Sequence, residues 1–355
     1  MTCPVPSHHG QVTVEAEPPR RETIRPVLRH GGHGRGACSG VVASSSAIGR
    51  VRLHGTIGFV TADGRFAPSP TGTLHLGNLR TALVAWLFAR SQDARYLMRM
   101  EDLDSGRVRE RFYDQQLADL AALGLDWDGP VVRQSQRIAL YEEALEALRA
   151  DDLVYPCWCT RAEIREAASA PHEALPEGAY PGTCRRLTAA QRAQREAAGR
   201  PPALRVRADA ARVAFEDRIA GRCEGVVDDV VVRRNDGAFA YNLAVVVDDA
   251  DQGVGEVVRG ADLLDSTPRQ LWLGARLGLG APRHAHVALM LGPDGDRLAK
   301  RHGAVTLADR AALGQSAADV RDELAASLGI GARGEGLAPA ELVERFSVGG
   351  LLEAA

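Results

Sequence analysis

A doubly wound α/β fold on a parallel sheet is predicted by three observations on this 355-residue chain. From Gly64 onward, short apolar runs alternate with amphipathic helical stretches, the order from which parallel sheets are wound. A Pro/Ser/Thr/Gly loop over residues 68–74 separates the first strand from the first helix, where such sheets collect ligands. A second glycine-flanked loop follows a late strand and carries Lys300, the one lysine among 43 Lys and Arg residues.

Arg65-Phe66-Ala67 reads as the end of the first strand. Residues 77–90 have helical spacing, with Leu79, Leu83, Trp86 and Leu87 on one face. Residues 96–100 read as a short strand that ends at Glu101-Asp102-Leu103-Asp104, and residues 108–123 and 138–148 as amphipathic helices. Residues 151–213 break the alternation and read as an insertion. Arg233-Arg234-Asn235-Asp236-Gly237 offers a turn, since Asp-Gly accommodates positive φ. Residues 239–247 and 256–258 read as strands. A helix over 267–277 opens with Ser266-Thr267-Pro268, placing Pro early in the helix. A last strand over 287–291 leads into Gly292-Pro293-Asp294-Gly295 and the lysine. The expected organisation is a catalytic domain over 64–310 and a short helical C-terminal segment over 311–355. Residues 1–63 lack sustained periodicity and carry His8-His9-Gly10, Pro18-Pro19 and His30-Gly31-Gly32-His33-Gly34. They are expected to be a disordered extension, or the product of a start codon placed too far upstream.

Hydrophobic content of 45% and charged content of 25% suit a soluble globular protein. The net charge of −3 excludes a generally basic nucleic-acid binder, so RNA contacts would use a local arginine surface. No apolar run approaches the ~20 residues that span a bilayer, and the N-terminus lacks the order of a signal peptide. The expectation is a cytoplasmic protein without membrane contact, and a monomer.

A strand, a small-residue loop and a helix N-terminus make an anion site, because free backbone N–H groups and the helix dipole favour phosphate there. His75 and Asn78 flank Gly77, which has no side chain to block a nucleotide. An imidazole at that point can donate to charge developing on a transferring phosphoryl group. Lys300, a compact point charge in a chain that otherwise uses arginine, suits a tight phosphate site. Two such loops could clamp a nucleoside triphosphate. Arg65, beside the first loop, suits a carboxylate, and Ser69 can add a hydroxyl. Glu101 and Arg259 lie at strand ends, and Tyr241 offers a phenol. Cys157-x-Cys159 and Tyr180-x-x-x-Cys184 suggest a zinc site with three thiolates and a vacancy.

Arg65-Phe66-Ala67-Pro68-Ser69-Pro70-Thr71-Gly72, followed by His75-Leu76-Gly77-Asn78, resembles the first signature of glutamyl-type class I aminoacyl-tRNA synthetases. Arg297-Leu298-Ala299-Lys300-Arg301 resembles their second signature, with Arg297 for the usual first Lys and Ala299 for the usual Ser. The resemblance implies a class I synthetase Rossmann-type domain with a zinc-containing insertion. It implies ATP binding by His75, Gly77, Asn78 and Lys300, with His75 and Lys300 catalytic and Mg²⁺ accompanying the ATP. It implies L-glutamate binding by Arg65, Phe66, Ala67, Pro68, Ser69, Glu101, Tyr241 and Arg259. The glutamyl-Q branch of the family carries a C-x-C…Y-x-x-x-C site, which Cys157, Cys159, Tyr180 and Cys184 match. His172 or water remain alternatives to Tyr180 as fourth ligand. Roughly fifty residues after Lys300 cannot supply a helical anticodon-binding region, and Val245 stands where ordinary glutamyl enzymes have Asn. Both features favour the glutamyl-Q branch, which transfers glutamate to the queuosine base at the wobble position of tRNA(Asp). The alternatives are a truncated synthetase charging the tRNA 3′ end, and a nucleotidylyltransferase or synthetase-like binding protein without transfer activity.

Overall fold

The computed structural model describes residues 62–168, 179–292, 294–295, 298, 303 and 305–353. The predicted tail up to residue 61, His172, Arg297, Ala299 and Lys300 lie outside the described residues.

Strand β1 (Gly64–Phe66) runs into helix α1 (Leu76–Arg90), followed by β2 (Tyr96–Met100), α2 (Arg111–Ala122), β3 (Val132–Arg133) and α3 (Ile138–Ala150). β1 and β2 pair in parallel with Arg65 opposite Leu97, and β3 adds in parallel to β2 with Val132 opposite Arg99. The chain then leaves the parallel sheet through β4 (Val154–Cys157), α4 (Arg161–Ala168), α5 (Ala189–Ala197), β5 (Ala203–Val206), β6 (Ala211–Asp217), β7 (Gly221–Val227) and β8 (Val231–Arg233). β4, β5 and β8 form a separate antiparallel sheet. α6 (Tyr241–Asp251), β9 (Glu256–Gly260), α7 (Thr267–Arg276) and β10 (Arg283–Val287) restore the alternation. β9 and β10 are parallel, and the β6–β7 hairpin extends this sheet at β10. β9 enters beside β1, since the Asp63 carbonyl accepts from the Gly255 and Glu256 amides. The C-terminal pieces are α8 (Leu307–Ala312), α9 (Ala317–Ala326), α10 (Pro339–Arg345) and α11 (Val348–Glu353).

Leu79, Leu83, Trp86 and Leu87 of α1 are buried as their spacing predicts, but so are Ala82, Val84, Ala85 and Phe88. The second covered face meets the C-terminal helices. Phe88 packs on Phe346 with ring centroids 5.2 Å apart, and Arg80 reaches the Ser327 hydroxyl at 2.9 Å. The Asp236-Gly237 turn forms, with Gly237 at φ +88°.

Two predicted strands are corrected. Residues 239–247 do not form a strand: Phe239 makes one isolated bridge to Arg233, and α6 starts at Tyr241. The Val245-Val246-Val247 run has strand propensity, but Leu243, Ala244 and Val247 bury one helical face in a cluster with Trp272 and Leu273. The last strand is Arg283–Val287, ending where residues 287–291 were expected to begin. Its spelling, Arg-His-Ala-His-Val, is polar although both histidines are buried, at 4% and 2% exposure, with His284 stacked on His286 and His286 hydrogen-bonded to Asp217.

Candidate active site

The C-terminal ends of β1, β2 and β9 open onto a cleft of about 540 Å³. Arg65, Phe66, Ala67, Pro68 and Ser69 line it from the end of β1, and His75, Gly77 and Asn78 from the start of α1. Glu101 lines it after β2, Tyr241 at the start of α6, and Arg259 at the end of β9. Ligands gather at such strand ends because helix N-termini and loops converge there. The loop after β1 is braced by α2: Gln116 donates to the Ser69 and Gly72 carbonyls at 3.0 and 2.7 Å.

His75 is the N-cap of α1. Its Nδ1 accepts from the Asn78 amide at 3.3 Å, and Asn78 Oδ1 accepts from the His75 amide at 3.2 Å. An accepting Nδ1 in a neutral imidazole puts the proton on Nε2. A Cβ on Gly77 would come 3.0 Å from the His75 ring, so this glycine leaves room for the capping imidazole itself.

Between β1, β2 and α6 the cleft is floored by a buried ionic cluster. Arg65 Nε meets Asp249 Oδ1 at 3.3 Å, and its Nη1 donates to the Val258 carbonyl at 3.3 Å. Arg99, fully buried, reaches Asp249 at 2.8 Å, Glu101 at 3.6 Å and Asp248 at 3.6 Å. Asp248 also accepts from Gln134, Arg137 and Tyr141. Burial pushes the Glu101 carboxyl up to about 7 against the opposing pull of Arg99 and Arg65. Asp249 is held below the usual range: burial raises it, and Arg99 and Arg65 outweigh that. Burial raises the Tyr241 phenol, and Glu101 adds to it.

Arg259 is 4% exposed and tied from the core side. Its Nε donates to His286 Nε2 at 3.0 Å, its Nη1 to Gln270 Oε1 at 2.7 Å and its Nη2 to Thr267 Oγ1 at 2.8 Å. Val245 is buried in α6 and is not among the residues lining the cleft.

A second cluster lies in the insertion. The sulfur atoms of Cys157, Cys159 and Cys184 lie within 4.8 Å of one another, and together could hold a metal ion. The Tyr180 hydroxyl stands 3.4 Å from Cys157 Sγ and 3.8 Å from Cys159 Sγ, and accepts from the Cys184 amide at 2.7 Å. Arg205 stacks over the Tyr180 ring, 3.8 Å from its centroid. Hydrogen bonds from Cys159 and Cys184 hold the Cys157 thiol well below its ordinary range. Three convergent sulfurs and a phenol oxygen fit the four-coordinate demand of zinc.

Sequence reasoning missed Asp249, Gln116, Asp217 and His286. Asp249 was hidden because its helix reads as a strand. The two histidines of β10 gave a signal only as polar residues in an otherwise strand-like stretch.

A family profile described as tRNA synthetases class I (E and Q), catalytic domain, matches residues 62–324. The glutamyl-Q tRNA(Asp) synthetase of Nocardia farcinica is 59% identical, over 80% of this chain and 88% of that protein. The protein of the same name from Symbiobacterium thermophilum is 51% identical, over 80% of this chain and 92% of its own length. Among solved structures, a glutamate tRNA ligase from Elizabethkingia meningosepticum superposes with a TM-score of 0.68 at 25% identity. That match covers 81% of this chain and 64% of the ligase.

Proposed function

The chain belongs to the class I glutamyl and glutaminyl tRNA synthetase family, and on that premise we propose that it is a ligase joining L-glutamate to the queuosine base of tRNA(Asp). The observation that carries the reading is the composition of the cleft. It gathers two buried arginines for carboxylates, a carboxylate for an ammonium group and a capped helix N-terminus for phosphate.

In this reading Glu101 holds the substrate ammonium, and Arg65 and Arg259 orient its carboxylates, with Tyr241 beside Arg259. The amides of the loop after β1 and the N-terminus of α1 receive the ATP phosphates, with Gly77 and Asn78 at the approach. A glutamate carboxylate oxygen attacks the α-phosphorus, forming glutamyl-adenylate, and the bond to pyrophosphate breaks. The Nε2–H of His75 donates to the charge that builds on the phosphoryl oxygens, and Lys300 takes the same charge from the second signature loop. A hydroxyl of the queuosine cyclopentene-diol then attacks the acyl carbon, losing its proton as AMP departs. Catalysis by positioning and fixed electrostatics needs no covalent enzyme intermediate. Mg²⁺ accompanies the ATP and screens the phosphate charge. Zn²⁺ on Cys157, Cys159, Cys184 and Tyr180 would tie the insertion together without taking part in the chemistry.

Glutamate-dependent exchange of labelled pyrophosphate into ATP, run with and without tRNA(Asp), tests the activation half. Exchange with glutamate and none with aspartate supports the reading. No exchange under either condition would leave a nucleotide-binding protein without ligase activity.

A further inference from the structure

Arg259 is the one cleft arginine whose guanidinium is anchored through a histidine among the described residues. His286, on β10, is 2% exposed, and its Nδ1 lies 2.6 Å from Asp217 Oδ2. Asp217 ends β6, where the hairpin from the insertion joins the main sheet. Its Oδ1 also accepts from the amides of Ile219, Ala220 and His286, at 3.0, 2.9 and 3.2 Å. Burial raises this carboxyl, but these donors outweigh it and hold it at about 2, so it is ionised and can only accept. His286 Nδ1 therefore donates to it. Burial also keeps the imidazole neutral, which leaves Nε2 as an acceptor. Nε2 faces two groups: Arg259 Nε–H at 3.0 Å and the Thr267 hydroxyl at 3.1 Å. The same hydroxyl oxygen receives Arg259 Nη2 at 2.8 Å. None of Asp217, His286 and Thr267 is among the residues lining the cleft, while Arg259 is.

We propose that Asp217, His286 and Thr267 are positioning residues for glutamate recognition, fixing the rotation of the Arg259 guanidinium that receives a substrate carboxylate. The inference rests on the reading of Arg259 as a glutamate ligand. The physical argument is one of tautomer and reach. Asp217 fixes which imidazole nitrogen carries the proton, and the other nitrogen then sets the plane of the Arg259 fork. Bidentate recognition of a carboxylate depends on that plane, and a misplacement of about 1 Å can cost on the order of 10²-fold in a positioned reaction. The arrangement also joins the amino-acid site to the first strand of the insertion's hairpin, since Asp217 belongs to β6.

The test is steady-state pyrophosphate exchange with glutamate and ATP varied separately, on variants shown to be folded by circular dichroism. His286→Asn keeps an amide able to donate to Asp217 but falls short of Arg259. His286→Gln has the reach to accept from Arg259 Nε–H as well. The expected result is a glutamate KM raised about 10-fold in His286→Asn, an ATP KM within about 2-fold of the parent, and His286→Gln close to the parent. Thr267→Val gives the same test from α7 if His286→Asn fails to fold. An unchanged glutamate KM in folded His286→Asn, or equal defects in the Asn and Gln variants, would overturn the proposal. Arg259→Lys separates the two claims. If it raises the glutamate KM while the His286 variants do not, the positioning role fails and the binding reading stands. If it leaves the glutamate KM unchanged, the binding reading fails.

Discussion

At the scale of single residues, the proposed function gives His75 two tasks that a substitution can separate. Its Nδ1 caps α1, and in the proposed mechanism its Nε2–H donates to phosphate. Asn is also a good N-cap, so His75→Asn should keep stability within about 1 kcal/mol. It should lower the rate of glutamate activation by about 10²–10³-fold, the usual cost of removing one donor to a developing oxyanion. Equal activity in a melting-matched variant would relieve His75 of its catalytic role. Glu101 gives a pH signature with a definite sign. Its carboxyl is raised to about 7, first by burial, so it gains a proton as pH falls through neutrality. The protonated form cannot pair with the substrate ammonium. The glutamate KM should therefore rise as pH falls from 8 to 6, on the order of 10-fold if Glu101 titrates alone, while the ATP KM stays flat. A pH-independent glutamate KM over that range would show that Glu101 does not hold the ammonium.

Among the elements, α6 and β2 are joined by ions where most of the core is apolar. Arg99 of β2 is fully buried between Asp248 and Asp249 of α6. Arg99→Met should lower unfolding free energy by about 3–5 kcal/mol, because it leaves two buried carboxylates short of their cation. Urea denaturation measures this directly. The insertion makes a separate prediction: purified protein should carry about one zinc per chain by plasma mass spectrometry, and Cys184→Ser should lose most of it. These elements also show what the sequence could and could not convey. β1, α1 and β2 were legible because apolar spacing and turn chemistry agree there. α6 was not, because three consecutive valines carry strand propensity and its helical face is decided by packing on Trp272 and Leu273. The sequence reading places the last strand four residues late because two buried histidines, one held by Asp217 and Arg259 and the other stacked on it, look like surface residues in one dimension. Arg65 to Ser69, His75, Gly77 and Asn78 are legible through the first signature, and Glu101 and Arg259 through their places at strand ends. Asp249, Asp217 and His286 become visible only once elements distant in sequence are side by side.

For the whole molecule, the C-terminal ends of β1, β2 and β9 and the starts of α1 and α6 converge on the cleft, and the C-terminal helices cover the far side of α1. Among the described residues no helix is long and apolar enough to cross a membrane. The chain spans 64% of the solved glutamate tRNA ligase it resembles, but 88% and 92% of two glutamyl-Q tRNA(Asp) synthetases. The proposed base-linked acceptor rests on the likeness to those two glutamyl-Q proteins. The direct measurement is transfer of radiolabelled glutamate to two tRNA(Asp) preparations with intact 3′ ends, one containing queuosine and one lacking it. The account predicts ATP-dependent label on the queuosine-containing tRNA and background on the other. Equal labelling of both preparations, with the label released from the 3′ terminal nucleotide, would contradict it.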